Sequence, residues 1–485
     1  MSGKLPKSNT PNRSSSILRP TTPIHNNIRN KSNSNQSRDS IVGHQRAVIL
    51  YQRRWLMLFV NFLLNTANST VWVAVSSIQA PAIQLYGVSA DSIVLLTNLV
   101  YVLFIPGTIL SSFLLSKYGL YTTSSTGAAF LCLASWCRVF SAFNKLFLME
   151  IVASILFSIG QPLVMNGVAK FCNHWMAPKE RFVGTMIYNT VPASLGAAIL
   201  ELVAAKHVTG PEQVPAYLLL IAGSISLITI LFLIIMKERP PTPPEYRQPI
   251  SIITTRLLRS RNNDEQSGCC QYIYESISNI CRALKNVMFL SSLFIATVAV
   301  LIICAYPAAS YNILHPLGYE QARIDDLTAI FFVTGIIGAV VVAPIADCAR
   351  SKWGIQATKF FLMLTQLIAL LSSIMLYLNA LPNNYNNIAL WLGIISFSVT
   401  ASVPISLDTG ASAVSNELKE SSSSGLMIAC GNLFGFILVY SIEWGKNIGK
   451  NFPLALIIGI TSVGVVASGF IREKKRVYET NDLSV

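Results

Sequence analysis

Charge is scarce in this chain. Only 12% of its 485 residues are Asp, Glu, Lys or Arg, and the acidic ones number 22. Histidine occurs five times, in tails and loops apart from His174 and His315 near predicted span ends. No nucleophile stands beside a base in a catalytic spacing, no Gly-rich phosphate loop of the Walker kind occurs, and no Cys or His spacing suits a metal or haem attachment. The sequence therefore speaks against an enzyme, against an ATP-driven pump, and against a resident metal or other cofactor. Nine cysteines make an odd number, and none falls in a predicted external loop, so no disulfide framework is expected. Cys269-Cys270 reads as two free cytosolic thiols, with palmitoylation as the competing reading.

What fills the chain instead is hydrocarbon. Apolar residues make up 52% of the sequence and the mean hydropathy is +0.52, which places it among polytopic membrane proteins. Twelve apolar segments are long enough to cross a bilayer. They lie at about residues 55–83, 92–115, 122–141, 146–170, 182–203, 215–236, 287–312, 327–346, 356–378, 387–410, 424–442 and 453–471. With both termini cytosolic, 30 of the 36 Lys and Arg face the cytosol, the positive-inside pattern. That placement assigns the net charge of +14 to membrane topology and not to nucleic acid. The lipid bilayer and a small-molecule substrate are the expected partners, with a monomer as the transport unit. Plasma membrane and vacuole or lysosome are both compatible locations.

The domain plan follows. Residues 1–50 are a Ser/Asn-rich basic tail expected to be disordered, 51–236 hold six spans, and 237–286 form a Pro-rich basic linker. Residues 287–472 hold the other six spans and 473–485 a second cytosolic tail. Within the linker, Ile273, Ile277, Ile280 and Leu284 recur at helical spacing, which predicts an interfacial helix over 271–285.

The first span carries Asn61, Asn65, Asn68, Trp72 and Ser76 on one face, within an arc of roughly 80°. Carboxamides and an indole in hydrocarbon must meet protein or water, so the stripe lines a cavity or glues helices together. The Asn68-Ser69-Thr70 sequon lies inside the span and is expected to be unused.

Two internal correspondences divide the chain into parallel halves. Gly107 to Ser116 has the same separation as Gly338 to Asp347, at an offset of 231. Pro162 to Gly184 parallels Pro404 to Gly425, at offsets of 242 and 241. Two six-helix halves, a long central loop and a Gly/acid/basic loop after a half's second helix resemble the major facilitator superfamily. The resemblance implies an all-α fold of twelve transmembrane helices and alternating access. It also implies a gate in which Asp347, Arg350 and Lys352 hold the inner side shut; the first half has Ser116 where the acid belongs.

A closer resemblance lies in Gly160-Gln161-Pro-Leu-Val-Met-Asn166, Lys170, Trp175 and Pro178-Lys179-Glu180-Arg181, together with Asn-Ser-Thr-Val-Trp72. These are similar to the feline leukaemia virus subgroup C receptor-related transporters, solute carrier family 49. Members are linked to choline and ethanolamine, to haem, and to pyridoxine-type vitamins, and the family carries a tryptophan of the first helix in its substrate site. The resemblance is denser in the first half. A fifth-helix glutamine that helps bind choline in the family is Ser194 here.

From these residues a midplane site is expected around Asn65, Asn68 and Trp72 of span one, Gln161 and Asn166 of span four, and Tyr188, Asn189 and Ser194 of span five. Tyr306 and Tyr311 flank Pro307 in span seven, and Asn432 lies in span eleven; for the tyrosines, interfacial anchoring competes. Phe104, Phe331 and Phe332 read as lipid-facing or core. Lys179, Arg181 and Asp408 join the gate, with a pairing of Asp408 to Lys419 as the structural alternative. No carboxylate lies near mid-membrane in spans one, four or seven, so a facilitator driven by its substrate's own gradient is expected. The cargo expected is choline-like or vitamin-like, with haem, or a sensor that binds without transporting, as alternatives.

Overall fold

The computed structural model describes residues 51–208, 210–240, 278–381, 384–414, 420–445, 449 and 451–471. Among them, twelve helices are long and apolar enough to span a membrane, six before the linker and six after. In the first group, α1 is Arg53–Val73, α2 Gln79–Tyr86, α3 Ala90–Lys117, α4 Gly119–Asn144 and α5 Phe147–Met165. Then come α6 Val168–Trp175, α7 Arg181–Thr185, α8 Val191–His207 and α9 Val214–Ile235. In the second group, α10 is Val287–Leu314, α11 Gln321–Trp353, α12 Ile355–Asn379, α13 Tyr385–Ala413, α14 Glu420–Gly445 and α15 Phe452–Gly469. Of the expected interfacial helix, residues 278–283 are helical and 271–277 lie outside the described residues, as do Cys269, Cys270 and Lys419.

The spans are less continuous than hydropathy suggests, and each break has a local cause. The first ends at Val73, ten residues earlier than the apolar run, and turns through Ser76–Ile78 into α2. Ser76 is therefore off the α1 stripe and exposed. The fourth divides at Asn166-Gly167, after Pro162. The fifth contains a π-turn at Met186–Thr190 just before Pro192. Pro192 has no N–H to offer the Tyr188 carbonyl, which loosens the ladder where the wide turn forms. Such turns concentrate at functional positions.

The glycines of the internal repeat mark helix crossings. A Cβ at Gly107 would sit 2.6 Å from the Pro162 ring on α5, and one at Gly338 would sit 2.2 Å from the Phe397 carbonyl oxygen on α13. Both let backbones approach as small residues do in membranes. Gly338→Ala is expected to force α11 from α13 at about 1–3 kcal/mol of overpacking, read as a lower unfolding midpoint in detergent. Gly431 lies against Val300 in the same way.

Candidate functional site

A cavity of about 70 Å³ lies at the centre of the bundle, bounded by both groups of spans. From the first come Asn68, Ser69 and Trp72 of α1, Gln161 and Met165 of α5, Asn189 and Thr190 of the π-turn, and Ser194 of α8. Opposite stand Val300, Ile303 and Cys304 of α10, Phe332 of α11, Val403 of α13, and Ile428 and Asn432 of α14. One wall offers carboxamides, hydroxyls and an indole. The other is almost wholly apolar.

The carboxamide oxygens of Asn68, Gln161 and Asn189 are buried and accept no hydrogen bond among the described residues. Leaving such groups unpaired costs about 1–3 kcal/mol each, so they stand ready for a donor on a bound molecule. Among the described residues, the lining contains no Asp, Glu, Lys, Arg or His.

Six of the expected residues meet here: Asn68, Trp72, Gln161, Asn189, Ser194 and Asn432. The cavity leaves out four others. Asn65 donates to the Asn61 carbonyl one turn back (3.0 Å), spending its donor on its own helix. The Tyr188 hydroxyl donates to the Val164 carbonyl at 3.1 Å, with its ring against Phe171. Tyr306 stacks on Phe331 at 4.6 Å and borders a separate small void with Ile313 and Leu392. Asn166 donates to Thr108 at 3.3 Å and packs against Gly425 at the contact between the two groups of spans. The Tyr311 side chain lies outside the described residues. Phe332, expected in core or lipid, faces the cavity.

The internal repeat relates the two walls once the structure has placed them. Adding 232 to Asn68 and Trp72 gives Val300 and Cys304, and adding 242 to Gln161 and Thr190 gives Val403 and Asn432. All eight line the cavity. Counterpart positions thus share a place; Asn68 and Gln161 have apolar counterparts in Val300 and Val403, whereas Thr190 and Asn432 are both polar.

The end of the bundle bearing the α1 N-terminus and the linker, here the basic face, is closed by a cluster joining the two groups. The Asp347 carboxylate accepts from the backbone N–H groups of Phe182 (3.3 Å) and Val183 (2.9 Å). Arg350 pairs with Asp408 and lies over the Phe182 ring, 4.7 Å from its centroid. Asp408 thus ties α13 to α11. Asp347 does not pair with Arg350 or Lys352: it reaches across to the other group, and Lys352 is exposed. Arg181 borders a small void with Asp408, Asn173 and Ser424, whereas Lys179 is exposed. Nearby, Arg54 and Glu180 form an ion pair at 2.8 Å.

On the first group's own loop, where Ser116 replaces an acid, Glu238 supplies a carboxylate from the linker's start. It accepts from the Leu120 N–H at 2.9 Å and the Tyr121 N–H at 2.5 Å. Lys170 lies 3.9 Å away. Sequence distance concealed this contact.

The chain is 25% identical over 450 residues to the choline/ethanolamine transporter FLVCR2 of Homo sapiens, covering 89% of this chain and 79% of that protein. It is 24% identical over 459 residues to the choline/ethanolamine transporter FLVCR1 of Mus musculus, covering 89% and 77%. The resemblance seen mainly in the first half therefore extends across both. In fold, the chain is similar to the crystal structure of the E. coli fucose:proton symporter FucP, with a TM-score of 0.60 at 13% identity, over 87% of this chain and 98% of that one. The sequence profile of the Major Facilitator Superfamily matches residues 55–439. A match across that much of the chain, on a fold of twelve helices, establishes that the protein belongs to the Major Facilitator Superfamily of membrane transporters.

Proposed function

We propose that the protein is a facilitator for a small ammonium alcohol of the choline or ethanolamine class, working by alternating access with its basic face in the cytosol. The observation that carries this reading is the two-sided cavity. A hydroxyl, or a primary ammonium, finds acceptors in the free carboxamide oxygens of Asn68, Gln161 and Asn189. Methyl groups on a quaternary nitrogen find Val300, Ile303 and Val403, with the faces of Trp72 and Phe332 to hold the charge. The curated relatives carry choline and ethanolamine in their names.

The uncharged lining also bears on energetics. A proton-coupled carrier needs a group that titrates within reach of the substrate, and among the described residues no acidic or basic side chain lines this cavity. Movement down the substrate's own gradient needs none. In the transport cycle the Asp347–Phe182–Val183 contacts and the Arg350–Phe182 contact would break to open the basic face, while Asp408 stays with Arg350. Asp347, Arg350 and Asp408 thus act as the gate.

The test is flux into proteoliposomes of radiolabelled choline, ethanolamine, pyridoxine and haem, each with and without a pH gradient. Saturable entry of choline or ethanolamine, at one rate whatever the pH gradient, is expected. Entry of pyridoxine or haem alone would overturn the substrate class. A rate that follows the proton gradient would overturn the facilitator. Ligand-induced thermal stabilisation without flux would make the protein a sensor.

A further inference from the structure

Arg138 and Glu150 lie near the outer ends of the expected spans three and four. In the structure they are 4% and 0% exposed and form an ion pair, Arg138 Nε to Glu150 Oε1 at 2.9 Å. A pair removed from water inside a membrane bundle is costly to build, and its retention asks for a purpose. Neither residue touches the cavity. What they touch is the corner that ends α1.

A helix that stops inside a bundle leaves carbonyls that water cannot reach. In an unbroken helix the Val71 carbonyl would accept from the Val75 N–H. Here it accepts from the Arg138 guanidinium at 2.6 Å, with only a longer bond from the Ala74 N–H at 3.4 Å beside it. The Val73 carbonyl is taken by the hydroxyls of Ser77 at 2.7 Å and Ser76 at 3.1 Å. Beyond the corner, α2 is held by the same hairpin: the Ser141 hydroxyl, one turn along α4 from Arg138, bonds the Tyr86 hydroxyl at 3.1 Å. Phe157 of α5 lies under the guanidinium at 5.9 Å and Tyr86 packs edge-on against Phe147. Glu150 sits in the first turn of α5, where the helix dipole favours a negative charge.

Trp72 is the residue directly after the Val71 carbonyl that Arg138 holds. We infer that the Arg138–Glu150 pair is a clamp that fixes the α1–α2 corner and so sets the orientation of Trp72 on the cavity wall. Arg138 does the holding, and Glu150 keeps the guanidinium aimed and compensated. Both are positioning residues, since neither reaches a bound molecule. The consequence for substrate affinity rests on the choline/ethanolamine reading; the consequence for Trp72 does not.

The test separates positioning from mere stability. Either single substitution strands a buried charge, so the informative variant is Arg138→Met with Glu150→Leu, which removes both charges and fills the space with apolar side chains. The protein is labelled with 5-fluorotryptophan and examined by fluorine NMR in detergent without substrate; the resonance absent from Trp72→Phe is that of Trp72. In the double variant that resonance is expected to shift or split. Arg138→Lys, which leaves Glu150 a partner but shortens the reach to Val71, is expected to move it in the same way. A Trp72 resonance identical to wild type in both variants would overturn the clamp. With choline as the probe, the double variant is expected to bind about tenfold more weakly. If wild type fails to bind choline while the resonance still moves, the substrate reading falls and the clamp stands.

Discussion

Trp72→Ala is expected to weaken choline binding by roughly thirty-fold, with the loss appearing in KM before it appears in the maximal rate. An indole face close to a desolvated ammonium is worth about 2 kcal/mol, and that energy converts to roughly thirty-fold in affinity. Trp72→Phe should recover part of it, because a smaller π-face remains. Asn65→Ala is the control. Asn65 sits two turns away on the same polar stripe, yet its amide serves the Asn61 carbonyl of its own helix. Its removal should leave the affinity within about twofold, because the side chain meets no substrate. Equilibrium binding and uptake, measured on the same preparations, check both. If Asn65→Ala and Trp72→Ala weakened binding equally, the cavity would extend further towards the basic face than its lining residues indicate.

Asp347→Ala is expected to open the basic face. The carboxylate accepts from two backbone N–H groups at the start of α7, and a hydrogen bond to a charged group contributes about 1.5–3 kcal/mol. Losing both shifts the balance between closed and open arrangements by a factor of ten or more, since every 1.4 kcal/mol is tenfold. Cys172 is a native reporter. It is buried beneath the gate, its thiol 3.5 Å from the Thr185 hydroxyl. Alkylation by N-ethylmaleimide, followed at the Cys172 peptide by mass spectrometry, should accelerate about tenfold in Asp347→Ala. It should stay slow in Lys352→Ala, whose side chain is exposed. Equal protection of Cys172 in wild type and Asp347→Ala would remove Asp347 from the gate.

Together the two variants separate the functions of the two regions. Trp72→Ala is expected to change what is held, and Asp347→Ala to change which side is shut. A protein altered at the cavity should still close its basic face, and one altered at the gate should still bind, though with the population shifted towards the open form.

How far the sequence reached depends on which physical signal each feature leaves in it. Hydropathy counted the spans, because twenty apolar residues have few places to go other than a bilayer. Helical periodicity picked out the stripe of α1, and Asn68 and Trp72 on it do face the cavity. It could not tell them from Asn61 and Asn65. Asn61 donates to the Met57 carbonyl and Asn65 to that of Asn61. Periodicity gives a direction around the helix but says nothing of what stands opposite at each turn.

Tyr188 and Asn189 show a second limit. They are neighbours in the π-turn of span five, but Asn189 lines the cavity and Tyr188 turns its hydroxyl to the Val164 carbonyl. Tyr306, beside Pro307, was drawn away from the cavity by stacking on Phe331. Phe332, the next residue, took the place on the wall. Which of two adjacent aromatic rings faces a cavity depends on packing partners from other helices.

By itself, the sequence determined the class of protein, its twelve spans, its internal repeat and several residues of the polar wall of its central cavity. These follow from solvation and periodicity, which act along the chain. Only the tertiary structure decided the apolar opposite wall, the reach of Asp347 to the N–H groups of Phe182 and Val183, and the pairing of Arg138 with Glu150 behind Trp72. Each of those joins residues from different helices, and a charge reads the same in a sequence whether it ends a span in water or is buried against its partner.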